Sequence, residues 1–282
     1  MSETTDSSCN VIKITNLDFQ YDDNRKIFKN LSYSFKGENC YVICGRNGSG
    51  KSTLLELLAG KKLAKSNTIS VDGIDPFRNT RINGIACLLN NQWGMRTVAY
   101  CGYNLPLQSS IKVKEMMISR KKLYPEREKE LREVLSINTE WSLNGVSEGQ
   151  RKRIQLYLGL LVPFKVLLMD EITVNLDVIV KSRFMDFLKK EARRGCCVLY
   201  VTHIFDGLDN WCDYVLYLND NGIEETKIDN IKDKNIYLYI LDKFNRDITR
   251  SITSKSSNIS DIIVGNAGGY ANGTLNNFNY KK

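Results

Sequence analysis

The chain is expected to fold as an α/β protein around a parallel sheet, and three stretches of its sequence predict this. The apolar run "NCYVICG" enters a glycine-rich turn that opens directly into the helical pattern "KSTLLELLAG". Two further apolar runs, "KVLLMD" and "CVLYVT", flank the amphipathic "VIVKSRFMDFLKKEARR", the strand–helix–strand spacing of parallel neighbours. Ahead of both, from Ile111 to about Leu161, the periodicity is helical and densely charged, as in "KEMMISRKKLYPEREKELREVL", which predicts a helical subdomain.

Taken in chain order, the first ten residues, "MSETTDSSCN", read as a loose polar arm. Order begins with "VIKITNLDFQY", whose alternation predicts a strand. The apolar strand, glycine turn and helix follow, and from Ile69 to about Leu89 short strands and turns alternate. After the helical segment and the strand–helix–strand unit, "NIYLYILDKFNRDI" predicts a last helix. Beyond Arg250 the composition shifts to Ser, Asn and Gly, too poor in apolar residues to fold alone. The expected division is therefore an arm over 1–10, a main domain over 11–230 with its helical subdomain at about 111–161, a C-terminal helix over 231–250 and a disordered tail over 251–282. No internal repeat is apparent.

A chain of 282 residues is long enough for a core that stands without staples. Its apolar runs break well before the roughly 18 to 20 residues that a membrane-spanning helix needs. The polar, acidic amino terminus does not have the basic-then-apolar form of a secretory signal, so a cytoplasmic location is expected, with the nucleus open. The eight cysteines form no CxxC pair and mostly sit inside apolar runs, which predicts buried reduced thiols. A net charge of +8 raises the question of nucleic acid, but the basic residues are scattered among acids with no aromatic stripe. A solvated surface, with no direct nucleic-acid site, is the expectation.

The chemistry concentrates in a few motifs. "GRNGSGKST", Gly45 to Thr53, matches the G-x-x-x-x-G-K-[ST] phosphate loop and has the strand before it and the helix after it that the motif requires. Backbone N–H groups from Asn47 through Gly48, Ser49 and Gly50 to Ser52, with the helix dipole, would cradle a polyphosphate. Lys51 would bridge the β- and γ-phosphates, Ser52 would offer its hydroxyl to Mg²⁺, and Thr53 would make a further phosphate contact. "VLLMDE" ends a strand in two carboxylates. Beside a phosphate loop, Asp170 can hold Mg²⁺ through its water and Glu171 can act as general base on an attacking water. His203, the one histidine in the chain, follows the next strand, so in a parallel sheet it shares the ligand-binding edge with Glu171 and is expected at the γ-phosphate.

"VSEGQRKR" places an acid, Glu148, in what would be a phosphate-facing turn. Ser147 reads as a helix N-cap and Gln150 completes a capping box. Glu148 is then favoured by the helix dipole, with Lys152 four residues on as its expected partner. Its side chain can point outward while the Ser147 hydroxyl and Gly149 N–H face an anion. Standing alone, the stretch would suit an ordinary capped helix equally well.

Together these pieces resemble the ATP-binding-cassette (ABC) ATPases over about residues 11 to 230, in the family's own order. The resemblance implies a P-loop NTPase fold with a RecA-like core, an antiparallel β subdomain and a helical signature subdomain. It implies that Ser147, Glu148, Gly149 and Gln150 belong to the signature, that Tyr21 stacks on adenine, and that Asp177 lies in the loop that contacts a partner subunit. His203 becomes the switch histidine, and a glutamine, Gln92 or alternatively Gln108, would sense Mg²⁺ and the lytic water. A head-to-tail homodimer is implied, each ATP clamped between one phosphate loop and the other subunit's Ser147 and Gly149.

Two departures narrow the resemblance. Glu148 stands where the family has its first signature glycine, and the usual proline–threonine–serine–alanine–leucine–aspartate stretch reads "ITVNLD". "VSEGQRKRIQ", "PFKVLLMDEITVNLDV" and "THIFDGLDNW" are most similar to the ABC proteins of the CCR-NOT-associated-factor type, which lack transmembrane domains in the same chain. The resemblance thus implies an ATPase, using ATP and Mg²⁺ and giving ADP and phosphate, that acts on a protein partner, with a CCR-NOT-type complex and roles in transcription or mRNA turnover in view. Two alternatives stay open: the nucleotide-binding subunit of a transporter whose membrane part is a separate chain, and an ATP-dependent clamp with negligible turnover. A GTPase is disfavoured because the chain shows no guanine-reading N-K-x-D.

Overall fold

Alternating apolar residues build the first sheet. In the computed structural model, which describes residues 10–21, 26–90, 95–97, 104–106, 111–247 and 249, β1 (Asn10–Gln20) buries Ile12, Ile14 and Leu17. The spacing slips by one between Ile14 and Leu17. A bulge with Asn16 at φ 47 absorbs the slip, so that all three side chains reach the same core. β1 pairs antiparallel with β2 (Lys26–Lys36) on one edge and with β4 (Ile69–Val71) on the other.

The strand that leads into the glycine turn, β3 (Cys40–Cys44), is buried at all five positions. It lies inside a six-stranded sheet of order β11-β10-β3-β9-β8-β5. Its other members are β5 (Ala86–Leu89), β8 (Val166–Asp170), β9 (Cys197–Val201), β10 (Tyr214–Asn219) and β11 (Gly222–Lys227). Every neighbouring pair is parallel except the β10–β11 hairpin. The carboxyl ends of β3, β8 and β9 therefore share one edge, which brings the glycine turn, Asp170 and the segment before His203 together.

Helix α1 (Lys51–Leu58) has no side-chain cap and only eight residues, too short to persist alone. Packing holds it: Leu54, Leu55, Leu57 and Leu58 are fully buried in the core with Ile12, Phe35 and Ile43. Each such leucine contributes about 2 kcal/mol. On the return path between β8 and β9, α6 (Val178–Arg193) buries Val180, Phe184, Phe187 and Leu188.

The densely charged segment forms α2 (Val113–Met116), α3 (Ile118–Leu123), α4 (Pro125–Val134) and α5 (Glu148–Leu160). Pro125 stands at the start of α4, where its missing N–H costs nothing. The buried Tyr157 hydroxyl of α5 donates to Glu128 Oε1 of α4 at 2.8 Å. Between β5 and α2, Met95–Thr97 and Asn104–Pro106 pair antiparallel as β6 and β7.

The described residues divide into two units, one ending at Ile236 and the other beginning at Tyr237. The helix expected over 231–250 begins at 236, after a 3-10 turn at Lys232–Lys234, and is helical through 247. Asn10, expected in the arm, already belongs to β1. The remainder of that arm and the tail over 251–282 lie outside the described residues. Among the described residues no helix is long and apolar enough to cross a membrane. Six described cysteines are free thiols, five of them buried.

Candidate functional site

Steric pressure fixes the shape of the glycine turn. Gly45 has φ 153, and a Cβ there would stand 2.3 Å from the Leu218 carbonyl oxygen of β10. Gly50, at φ 97, would drive a Cβ to within 2.5 Å of Ile27. Only glycine fits at either position, and the turn is pressed between β10 and β2. Within the turn the Ser49 hydroxyl oxygen is buried with no hydrogen-bond partner.

Lys51 is nearly buried and its ammonium donates to the carbonyls of Gly45 at 2.8 Å and Arg46 at 3.0 Å. Burial lowers its pKa, while Cys44, Glu171 and Asp170 act in the opposite sense. Burial likewise raises the Asp170 pKa, against a hydrogen bond from the Ser52 hydroxyl that favours the carboxylate. Ser52 and Asp170 thus form a pair of hard oxygen donors, which fits Mg²⁺ completed by water and phosphate. No group of three or more His, Cys, Asp and Glu that could hold a metal alone occurs among the described residues.

Glu171 leaves β8 at φ 50, a left-handed turn that swings the chain out of the strand. Its Oε1 lies 3.4 Å from Nε2 of His203. Behind it, the buried Thr173 and Tyr200 hydroxyls hydrogen-bond at 2.5 Å, tying the loop after Glu171 to β9. Tyr21 hydrogen-bonds through its hydroxyl to Thr53 at 2.9 Å, and the Lys62 ammonium sits 4.8 Å from its ring centroid.

These groups surround one cavity of about 350 Å³. Its wall brings together Tyr21, Asn47, Gly48, Gly50, Lys51, Ser52 and Thr53 with Asp170, Glu171 and His203. Ser147, Glu148, Gly149 and Gln150 do not line it. They form the start of α5, where the capping box closes: Ser147 Oγ accepts from Gln150 N at 3.2 Å and Gln150 Oε1 accepts from Ser147 N at 2.9 Å. Asp177 also stands apart, capping α6 by accepting from Val180 N at 2.9 Å. Gln92 and Gln108 lie outside the described residues.

Glu148 has the expected neighbour in Lys152 and a second partner from outside the helix. Glu148 Oε1 accepts from Asn175 Nδ2 at 2.8 Å, and the Glu148 charge acts on Lys152 in favour of its protonated form. Reading along one helix finds the residue four places on, whereas Asn175 arrives from a separate loop. The other residues that sequence reasoning did not single out are Tyr200, which anchors Thr173, and Gln155, buried on α5 and donating to the Asn90 carbonyl at 2.6 Å. A polar residue on the apolar face of α5 was the available signal for Gln155, and Asn175 carried one as the departure inside "ITVNLD".

A family model described as ABC transporter matches residues 28–174. The chain is 37% identical over 203 residues to ABC transporter I family member 20 of Arabidopsis thaliana, covering 71% of this chain and 62% of that protein. It is 39% identical over 190 residues to CCR4-associated factor 16 of Saccharomyces cerevisiae, covering 64% of this chain and 66% of that protein. The chain thus spans less than two thirds of the length of either relative. A dimeric, post-hydrolysis ATP-binding cassette bound to ADP and Pi shares the fold, with a TM-score of 0.60 at 20% identity over 77% of this chain and 98% of that one.

Proposed function

This chain belongs to the ABC transporter family, and from that premise we propose that it binds and hydrolyses Mg-ATP as a head-to-tail homodimer that acts on a protein partner. One observation carries the reading: Lys51, the paired Asp170 and Glu171, and His203 all face the cavity over the glycine turn, with Glu171 and His203 within 3.4 Å of each other. The nucleotide-binding domain would occupy 11–230, with 111–161 as its helical subdomain.

The residues then divide the work. Tyr21 stacks on the adenine, and the turn amides from Asn47 to Ser52 with the Thr53 hydroxyl hold the phosphates. Lys51 exchanges its two backbone carbonyls for phosphate oxygens. Ser52 and Asp170 hold Mg²⁺, which when bound neutralises charge developing on the phosphoryl oxygens. Glu171 takes a proton from the attacking water as its oxygen bonds to the γ-phosphorus and the bond to the ADP oxygen breaks. His203 steadies Glu171 and contacts the γ-phosphate. Ser147 Oγ already accepts from Gln150 N, which leaves its own O–H to donate to the nucleotide of the second copy, alongside the Gly149 N–H.

The test is steady-state Mg-ATP hydrolysis as a function of protein concentration, beside a Glu171→Gln variant sized by light scattering with ATP. Activity rising faster than linearly, with an inactive but dimeric variant, is the expected result. Strictly linear activity that survives the substitution would sink the mechanism. The protein partner, of CCR-NOT type, rests on the likeness to the yeast relative, whose name makes it a CCR4-associated factor. Recovery with a membrane protein instead would favour a transporter subunit.

A further inference from the structure

Two of the departures from the family pattern lie against each other. Glu148 replaces the first signature glycine, and Asn175 stands in "ITVNLD" where the family has alanine. Asn175 Nδ2 donates to Glu148 Oε1 at 2.8 Å, joining positions 27 residues apart. Asn175 has φ 72, a left-handed conformation that asparagine tolerates better than most residues and that turns its amide back toward α5. Its own carbonyl oxygen closes over the same turn, so that a Cβ added at Gly149 would stand 2.9 Å from it. The loop and the signature turn therefore meet twice, side chain to Glu148 and main chain to Gly149.

The loop that carries Asn175 is short and held on both sides. Thr173 is fixed by the Tyr200 hydroxyl and Asp177 caps α6. Glu148, by contrast, is exposed at the start of α5, where the unsatisfied amides attract any carboxylate within reach. Left to itself, its side chain would compete for the position that an incoming phosphate needs. A neutral donor such as the Asn175 amide draws the carboxylate aside without bringing a second charge to the turn.

We propose that Asn175 is a positioning residue that holds the Glu148 carboxylate off the α5 N-terminus, so that Ser147 and Gly149 are free to take the phosphate of nucleotide bound by a second copy. This rests on the shared-site ATPase reading above. It explains how a signature that carries an acid stays compatible with an anionic ligand, and it makes Glu148 and Asn175 a matched pair.

The experiment is a double-mutant cycle on ATP-driven dimerisation, measured by light scattering across protein concentration in the Glu171→Gln background. Asn175→Gly removes the amide and keeps a residue at ease with φ 72, so the backbone is not strained. It should weaken the dimer about tenfold when Glu148 is present. Combined with Glu148→Gly it should change nothing, and combined with Glu148→Gln, which keeps the shape and removes the charge, it should again be silent. Thermal unfolding and ATP affinity of the isolated monomer should not move with Asn175→Gly. Equal weakening with and without Glu148, or none with it, overturns the inference while leaving the ATPase reading intact. A Glu171→Gln chain that never dimerises with Mg-ATP overturns both.

Discussion

Lys152 stands one turn behind Glu148 on α5, and burial pushes its pKa down to about 8 from the ordinary 10.5, with the Glu148 charge acting the other way. Between those values the unfolded chain binds a proton that the folded chain has shed. This lysine therefore costs stability most below about pH 8, and its penalty fades as pH rises toward 10.5. The buried thiols run in the opposite sense. Burial pushes Cys196 up to about 11 and Cys40 and Cys212 up to about 12, so above the ordinary thiol value of 9.0 the unfolded chain loses protons that the folded one keeps, and stability falls. The lysine is isolated by difference. Denaturant midpoints of the unsubstituted chain should rise relative to Lys152→Gln as pH goes from about 8 to 10, and parallel profiles would show that the amine is not desolvated. Glu148 and Lys152 also mark the limit of reading residues by spacing. A helix puts i and i+4 together in any sequence, but Asn175 reaches Glu148 only because a left-handed residue turns its loop back, and no periodicity announces that.

Arg127 ties three helices at one point. From α4, its Nε donates to the Leu160 carbonyl at the end of α5 at 2.7 Å, and Nη2 lies 2.7 Å from Glu191 Oε2 on α6. Its guanidinium packs 5.2 Å from the Phe164 ring and 5.5 Å from Phe187. Glu191 is almost wholly buried, and the more exposed Arg194 also reaches it at 2.6 Å. Replacing Arg127 by methionine would keep the packing and leave that buried carboxylate with one partly solvated cation, which should cost about 3 kcal/mol in urea denaturation. Arg127→Met with Glu191→Met should recover part of the loss, because an apolar pair needs no desolvated partner. Additive losses would place the effect in packing alone. Such joints explain why elements were legible unevenly. The strand–turn–helix at Gly45 and the unit from β8 through α6 to β9 are written in consecutive residues, so local pattern found them. The β10–β11 hairpin also carried a local mark, the Asn221-Gly222 dipeptide beside its two-residue loop, whereas the three-helix joint at Arg127 depends on partners at 160, 164, 187 and 191 that only the folded chain assembles.

Two copies of a chain with net charge +8 repel, so the proposed dimer must gain its attraction from what binds between them. Bound nucleotide would supply negative charge at both shared sites of that dimer, and apolar side chains at the start of α6 would supply contact area. Val178 and Ile179 are 83% and 64% exposed beside the Asp177 cap, an arrangement suited to burial by a second copy. Association confined to the nucleotide-bound state has a thermodynamic signature separate from turnover. In Glu171→Gln without nucleotide, Tm should be independent of protein concentration. With Mg-ATP at a hundred times its Kd, binding alone adds about 2.7 kcal/mol, which raises Tm on the order of 5 °C for a chain of this size. Tm should then climb further with protein concentration, because dimerisation removes folded monomer from the unfolding equilibrium. Added salt should steepen the climb if repulsion between the two positive chains dominates at the interface, and flatten it if attraction to the bound phosphates dominates. A midpoint that shifts with ATP yet ignores protein concentration at every salt would mean that each copy binds nucleotide alone, and the head-to-tail arrangement would fall.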